Sequence, residues 1–246
     1  MKLTVLGGAG GFPPAEGACS GYLIEHAGFR LLVDPGYAIV PRLLGIVAAG
    51  AIDAVLVSHG HPDHVADLNP LLRARLMSND DASPLPTYAL PGALDPVLAL
   101  DQITALHGAC EVHEFEAGDA FAIGPFAIQS CPLPHSIPNT GVRISVDGRS
   151  ITYTGDAGPS GDLVGLADGT DLLLAEATYV EAVPFGNAGV LNCAKEVGRQ
   201  AHGARAIRLM LTHLLPGTDR QLSRAAAGRS FDGWIEVAAP ATILEL

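Results

Sequence analysis

Charge is scarce in this chain, and positive charge scarcest. Charged residues make up 16% of the 246 positions, with 14 Lys and Arg against 26 Asp and Glu, for a formal net charge of -12. Phosphate-backbone contacts need Lys and Arg, so the balance argues against general nucleic-acid binding. Cys19, Cys110, Cys131 and Cys193 show no C-x-x-C spacing; they read as small buried residues in a reducing compartment. No apolar run is long enough to span a bilayer, so no membrane partner is expected. Residues 1–6 are too short and too alternating for a signal h-region, and Gly7-Gly8-Ala9-Gly10-Gly11 follows at once. The expected location is the cytoplasm.

What is abundant is apolar surface. A hydrophobic content of 48% suffices for one sizeable core, and residues 1–246 read as a single domain. The 29 Gly and 18 Pro imply many short turns. Lys195, Arg199, Arg205, Arg208, Arg220, Arg224 and Arg229 crowd into one stretch opposed only by Glu196 and Asp219. They form either solvated helix faces or a basic rim beside an anionic substrate.

Strands are expected over residues 2–6, 54–58, 171–175 and 207–212. Hairpins are expected over 21–33, 119–131 and 142–154, and helices over 41–49, 65–77, 94–106, 189–202 and 219–227. Residues 78–86 read as a loop. The pattern is α/β, with mixed sheets flanked by helices. Each half runs from hairpins into strand-then-helix units, which points to a weak internal duplication.

His59-Gly60-His61-Pro62-Asp63-His64 packs three imidazoles and a carboxylate just after the apolar run 54–58. Imidazole and carboxylate together suit zinc, with manganese and iron as the other candidates. Strand ends are where open α/β sheets place ligands. Further along, His135, Asp156, Glu176 and His213 each end an apolar strand in the same way. If those ends converge, His59, His61, Asp63, His64, His135, Asp156 and His213 suffice for two metal ions bridged by Asp156. Glu176 stands behind the ligands or serves a turn or helix cap. His26, His107, His113 and His202 lack the strand-end context and read as surface or core residues.

Ser58-His59-Gly60-His61-Pro62-Asp63-His64, Pro134-His135-Ser136, Thr154-Gly155-Asp156, Leu211-Thr212-His213 and Asp34 together resemble the metallo-β-lactamase superfamily over essentially the whole length. Thr4-Val5-Leu6-Gly7 and Glu176-Ala177-Thr178-Tyr179 are most similar to its ribonuclease Z branch. The resemblance implies a four-layer αββα sandwich. It implies that His59, His61 and His135 hold one ion, that Asp63, His64 and His213 hold a second, and that Asp156 bridges them. Members of that branch cleave phosphodiesters, and some relatives hydrolyse sulfate esters.

Two departures stand out. Where the branch carries a histidine that contacts the scissile phosphate, the stretch Val190-Leu191-Asn192-Cys193-Ala194 offers Asn192, whose amide donates a hydrogen bond but supplies no proton. Asn192 also suits a helix N-cap. Second, the 20 residues between His135 and Asp156 leave no room for a tRNA-binding arm. That argues against tRNA as a partner.

The expected activity is a two-metal hydrolase of small phosphodiesters of the cyclic-nucleotide type. A metal-bridging hydroxide attacks, and Asp63 orients it as the catalytic carboxylate. Alternatives are hydrolysis of a thioester, lactone or sulfate ester at the same metals, or a metal- or ligand-binding module without turnover. The expected cofactors are two divalent ions, zinc first. The expected partner is a small anionic substrate, with a homodimer left open.

Overall fold

The computed structural model describes residues 1–78, 83–101, 106 and 108–246. His107, residues 102–105 of the expected 94–106 helix and residues 79–82 of the expected 78–86 loop lie outside the described residues. Two compact units emerge: Met1–Gly8 with Phe12–Glu116 and Ala239–Glu245, and Ala9–Gly11 with Ala117–Ala238 and Leu246.

In the first unit, β1 (Lys2–Gly7), β2 (Gly21–His26) and β3 (Phe29–Val33) form an antiparallel meander. β4 (Ala54–Leu56), β5 (Leu85–Ala89) and β6 (Cys110–Glu114) then continue the sheet in parallel with β3. The second unit repeats the plan. β7 (Ala120–Ile123), β8 (Phe126–Pro132), β9 (Thr140–Val146) and β10 (Arg149–Tyr153) meander. β11 (Leu172–Glu176), β12 (Arg208–Thr212) and β13 (Trp234–Val237) follow in parallel with β10. β14 (Ile243–Glu245) returns to pair with β1. The two sheets thus share one order of events, an antiparallel meander followed by parallel strands, as the duplication reading expects.

The strand sequences explain these places. β8 alternates Phe126, Ile128 and Ser130 inward with Ala127 and Gln129 outward, a strand with one wet face. β11 is Leu-Leu-Leu-Ala-Glu and buried throughout, as a strand with parallel neighbours on both edges should be. The β9–β10 turn uses Asp147 and Gly148 at φ 49° and 74°, the positive pair that a two-residue hairpin turn of this hand requires.

In the first unit, α1 (Ile39–Leu44), α2 (Pro62–Val65), α3 (Leu68–Ser78) and α4 (Asp95–Leu98) accompany the sheet. Leu43, Leu68 and Leu72 join Leu6, Leu32 and Val55 in its core. The second unit has α5 (Gly161–Leu166), α6 (Ala194–Gly203) and α7 (Arg220–Ala227), with Val197, Ala201 and Ala226 packed with Leu173, Leu209 and Leu211. Asp219 caps α7 by accepting from Gln221 N–H at 2.8 Å and Leu222 N–H at 3.2 Å. Among the described residues no helix is long and apolar enough to cross a membrane.

Several elements differ from expectation: the 41–49 helix lies over Ile39–Leu44, the described part of the 94–106 helix is helical over Asp95–Leu98, and the 78–86 loop gives way to β5 at Leu85. Two further helices differ for reasons visible in their hydrogen bonds. The 65–77 helix is two pieces, because Asp67 turns its N–H to Pro35 O and its carboxylate to Val40 N–H, at 2.9 and 2.8 Å. The 189–202 helix starts only at Ala194. Residues before it spend their backbone groups elsewhere: Asn192 O accepts from Tyr179 N–H, and Asn192 N–H donates to Glu176.

Candidate metal centre

In the first unit, β3 and β4 are parallel neighbours, so their C-terminal ends lie side by side. Asp34 follows one and Ser58-His59 the other. Asp34 is fully buried and works as a hydrogen-bond hub. Its Oδ1 accepts from Ser58 N–H at 2.7 Å, and its Oδ2 from Ser58 Oγ–H at 2.6 Å and His64 Nδ1–H at 2.7 Å. Ser58 has thereby committed its proton, so its Oγ accepts from His59 Nδ1–H at 3.0 Å. Both His59 and His64 are left with a lone pair on Nε2.

His59 Nε2 lies 3.2 Å from His61 Nδ1. Pro62 opens α2, and this one turn carries Asp63 and His64, whose Oδ2 and Nε2 stand 3.7 Å apart. Gly36 makes room for the turn, since a Cβ there would sit 1.9 Å from Asp63 O. Asp34, His59 and His64 offer ligand-type atoms within 4.8 Å of one another, but the hydrogen bonds show Asp34 to be the anchor of the imidazoles.

In the second unit, β10, β11 and β12 are parallel neighbours, and β8 runs the same way two strands from β10. His135, Asp156, Glu176 and His213 therefore all come from one end of one sheet. Asp156 Oδ2 lies 3.1 Å from His213 Nε2 and 4.0 Å from His135 Nε2. His135 Nδ1–H donates to Val190 O at 2.8 Å. His213 Nδ1 lies 3.0 Å from Thr178 Oγ1, which in turn donates to Glu176 Oε1.

Glu176 also accepts N–H groups from Thr178 at 3.0 Å, Asn192 at 3.1 Å and Ala157 at 3.2 Å. Burial, and then the charge of Asp156, raise its pKa, while His213, the Thr178 hydroxyl and the Asn192 N–H pull it down. Gly10 closes on the ring of His213: a Cβ there would lie 2.7 Å from its Cε1 and Nδ1.

The donor chemistry fits divalent metal in both units. Four imidazoles, His59, His64, His135 and His213, have Nδ1 within hydrogen-bonding distance of an internal partner, the outer support that orients a metal-binding histidine. A single buried carboxylate oxygen beside two imidazole nitrogens suits a shared ligand.

Asn192 is placed in the interior. Its Nδ2 donates to Gln200 Oε1 at 2.9 Å and its Oδ1 accepts from Cys193 N–H at 3.0 Å. It thus braces the start of α6 from one residue before the cap, Cys193. His26, His113 and His202 lie on β2, β6 and α6, and His113 stacks on Tyr88 at 4.7 Å. Much of the basic stretch is engaged locally: Arg199 with Glu196, Arg205 with Asp168, Arg229 with Glu181, and Arg220 with Val237 O and Ala238 O. That favours solvated faces over a basic rim. None of the four cysteines forms a disulfide, and burial raises the pKa of Cys110, Cys131 and Cys193. Ser58, Thr178, Gly10 and Val190 stand within the sequence motifs and runs, but the sequence assigns none of them a part in holding a ligand. Hydroxyl, glycine and backbone positions obey no ligand spacing.

The sequence matches the Beta-lactamase superfamily domain over residues 29–214. The chain belongs to that superfamily. It is 32% identical over 241 residues to "Probable metallo-hydrolase YhfI" of Bacillus subtilis (strain 168), covering 97% of each chain. It is 30% identical to "Ribonuclease Z" of Mycobacterium bovis (strain BCG / Pasteur 1173P2), covering 96% of this chain and 95% of that one.

The crystal structure of the metallo-β-lactamase fold protein YhfI superposes with a TM-score of 0.90 at 31% identity, covering 100% of this chain and 98% of that one. Human tRNase Z, short form, shares the fold at 23% identity and a TM-score of 0.79, covering 100% and 99%. The two mixed sheets flanked by helices are thus the metallo-β-lactamase α/β fold, and the chain is a metallo-hydrolase of this superfamily.

Proposed function

We propose that this chain is a two-ion hydrolase of small anionic diesters, with phosphodiesters of the cyclic-nucleotide type as the leading substrate class. The observation that carries the reading is Asp156, whose single carboxylate oxygen stands beside the Nε2 atoms of His213 and His135. The Ribonuclease Z relative supports phosphodiester chemistry. In this reading His59, His61 and His135 hold one ion, Asp63, His64 and His213 the other, and Asp156 serves both. Bound there, two divalent ions, zinc first, supply Lewis acidity and a water acidic enough to attack near neutral pH. Asp63 accepts a hydrogen bond from the attacking water and aims it. Asp34 and Glu176 hold the imidazoles from behind.

The absence of an arm between His135 and Asp156, filled instead by β9 and β10, and the net charge of -12 favour a small substrate over tRNA. We place the protein in the cytoplasm.

The internal engagement of Asn192 favours a second reading. With its amide tied to Gln200 and Cys193, it offers a leaving group nothing. Substrates that leave without a proton then gain an advantage: aryl phosphodiesters, thioesters, aryl sulfates. Turnover of a cyclic nucleotide, an aryl phosphodiester, an aryl sulfate and a thioester, each with and without chelator, tests both readings. Chelator-sensitive turnover of the cyclic nucleotide supports the first. Chelator-sensitive turnover of the aryl phosphodiester, thioester or sulfate while the cyclic nucleotide stays intact replaces it with the second. No turnover of any leaves a binding module.

A further inference from the structure

Thr178 lies beside the donor groups and is 2% exposed. Its Oγ1 touches two partners, Glu176 Oε1 and His213 Nδ1, and it has one proton to give. Glu176 Oε1 already accepts N–H groups from Thr178 and Asn192, so it is an acceptor toward Thr178, and any proton on Glu176 would sit on Oε2. The hydroxyl proton therefore points to Glu176. Its remaining lone pair faces His213 Nδ1, which must then carry hydrogen. Ser58 stands in the same relation to Asp34 and His59 in the other unit. The same device of buried carboxylate, hydroxyl and imidazole thus occurs in each half of the chain.

We propose that Thr178 is a positioning residue that holds His213 with hydrogen on Nδ1, backed by Glu176, so that Nε2, 3.1 Å from Asp156 Oδ2, is the nitrogen left to a metal ion. The inference rests on the metal reading above but concerns a proton that exists without the ion. A neutral imidazole left to itself exchanges between tautomers and rotates about its bonds. A ring whose Nδ1–H is held by an acceptor is spared that freedom, and its Nε2 is a stronger base. A direct carboxylate contact would do the same, as Asp34 does for His64. At His213 the carboxylate lies one residue deeper in the fold, and the hydroxyl spans the gap.

The test uses nitrogen chemical shifts of the histidine rings in the full-length, metal-free protein, together with zinc affinity by competition with a chromophoric chelator. Thr178→Val keeps the shape and removes the hydroxyl, whereas Thr178→Ser keeps the hydroxyl. In the wild type and in Thr178→Ser, His213 should read as Nδ1-protonated. In Thr178→Val it should show a mixture, and zinc should bind about 10- to 100-fold more weakly.

A wild-type His213 that lacks hydrogen on Nδ1 overturns the proposal, whether or not the variants fold. So does a Thr178→Val protein with unchanged tautomer and affinity, or a Thr178→Ser protein impaired as much as Thr178→Val. A wild type that binds no zinc defeats the metal reading instead and leaves the tautomer result standing.

Discussion

His213 and Asp34 hold backbones that non-glycine residues seldom adopt, at φ 58° and 48°. Each costs on the order of 1–3 kcal/mol, and each is held by the hydrogen bonds of a buried side chain. Gly10 presses on the strained histidine: its N–H donates to Leu214 O at 3.0 Å, and a Cβ would meet the ring and His213 O at 2.7 Å. Gly10→Ala should therefore destabilise the fold by about 1–3 kcal/mol and weaken zinc binding at least about tenfold, because the ring must move. Gly50→Ala, with nothing within 4 Å of its new Cβ, is the control. Denaturant midpoints and a zinc titration of both variants check this, and a silent Gly10→Ala removes the ring contact from the account. Asp156→Ala should lower turnover by orders of magnitude and deplete both ions in elemental analysis, whereas His213→Ala should deplete mainly one. Asn192→Ala should cost about 1–2 kcal/mol of stability, since Gln200 and the Cys193 N–H both lose a partner. It should leave the dependence of rate on leaving-group pKa unchanged. At this scale His59, Asp156, Glu176 and His213 were legible because each ends an apolar strand, where a polar residue has few structural uses, and His61, Asp63 and His64 because they follow His59 at ligand spacing. Thr178 was not, because its role depends on which two side chains flank one oxygen.

Elements are held in register by side chains reaching across loops. Asp67, between α2 and α3, accepts from Val40 N–H near the start of α1 at 2.8 Å. Burial raises its pKa, against the backbone hydrogen bonds from Val40, Ile39 and Ala38. A carboxyl raised on folding contributes stability that is complete below its unfolded pKa and is lost as pH rises through its folded pKa. At neutral pH the ionised Asp67 is therefore a burden that Asn would not carry, while Asn keeps an oxygen for the Val40 N–H. Asp67→Asn should match or exceed the wild type at neutral pH, with the advantage fading in acid. Asp67→Ala should be less stable at every pH, lacking the acceptor. Urea midpoints from pH 4 to 8 separate the three proteins, and a constant offset for Asp67→Asn would show that the charge does not matter. The same residue explains why the 65–77 helix was read as continuous: its helical spacing carries no sign that one carboxylate is needed 27 positions earlier in the chain. β13 and β14 escaped notice for a different reason. Each is at most four residues long and carries a glutamate, Glu236 or Glu245, so neither shows an apolar run.

At the scale of the whole molecule, the alternation of hairpins with strand–helix units was enough to anticipate two mixed sheets, because only a meander followed by crossovers builds both. In each unit the C-terminal ends of the parallel strands and the turns that follow them are the place for most of the chemistry; His135 instead follows β8, an antiparallel strand that runs the same way as β10. Four of these residues lie within positions 59–64, but His135, Asp156 and His213 are far from them in the unfolded chain, so the full set exists in the native state alone and an ion that it holds favours that state. Its binding must then raise stability by RT ln(1 + [ion]/Kd), about 2.7 kcal/mol at a hundredfold excess over Kd. For a chain of this length each kcal/mol moves Tm by roughly 2–4 °C, so each tenfold rise in free zinc should add roughly 3–5 °C for each ion held once above its Kd. Thermal scans in zinc buffers of graded free concentration, after prior treatment with chelator, measure that slope. In Asp156→Ala the slope should fall to near zero, because the carboxylate assigned to both ions is gone. Cys110→Ala is the comparison: it also removes a buried side chain and lowers Tm, but it belongs to the apolar core of the first unit and should keep the full zinc slope. A wild-type Tm indifferent to zinc, manganese and iron alike would overturn the metal centre, however the apo protein behaves. Equal slopes in wild type and Asp156→Ala would keep the metal and remove Asp156 from its ligands.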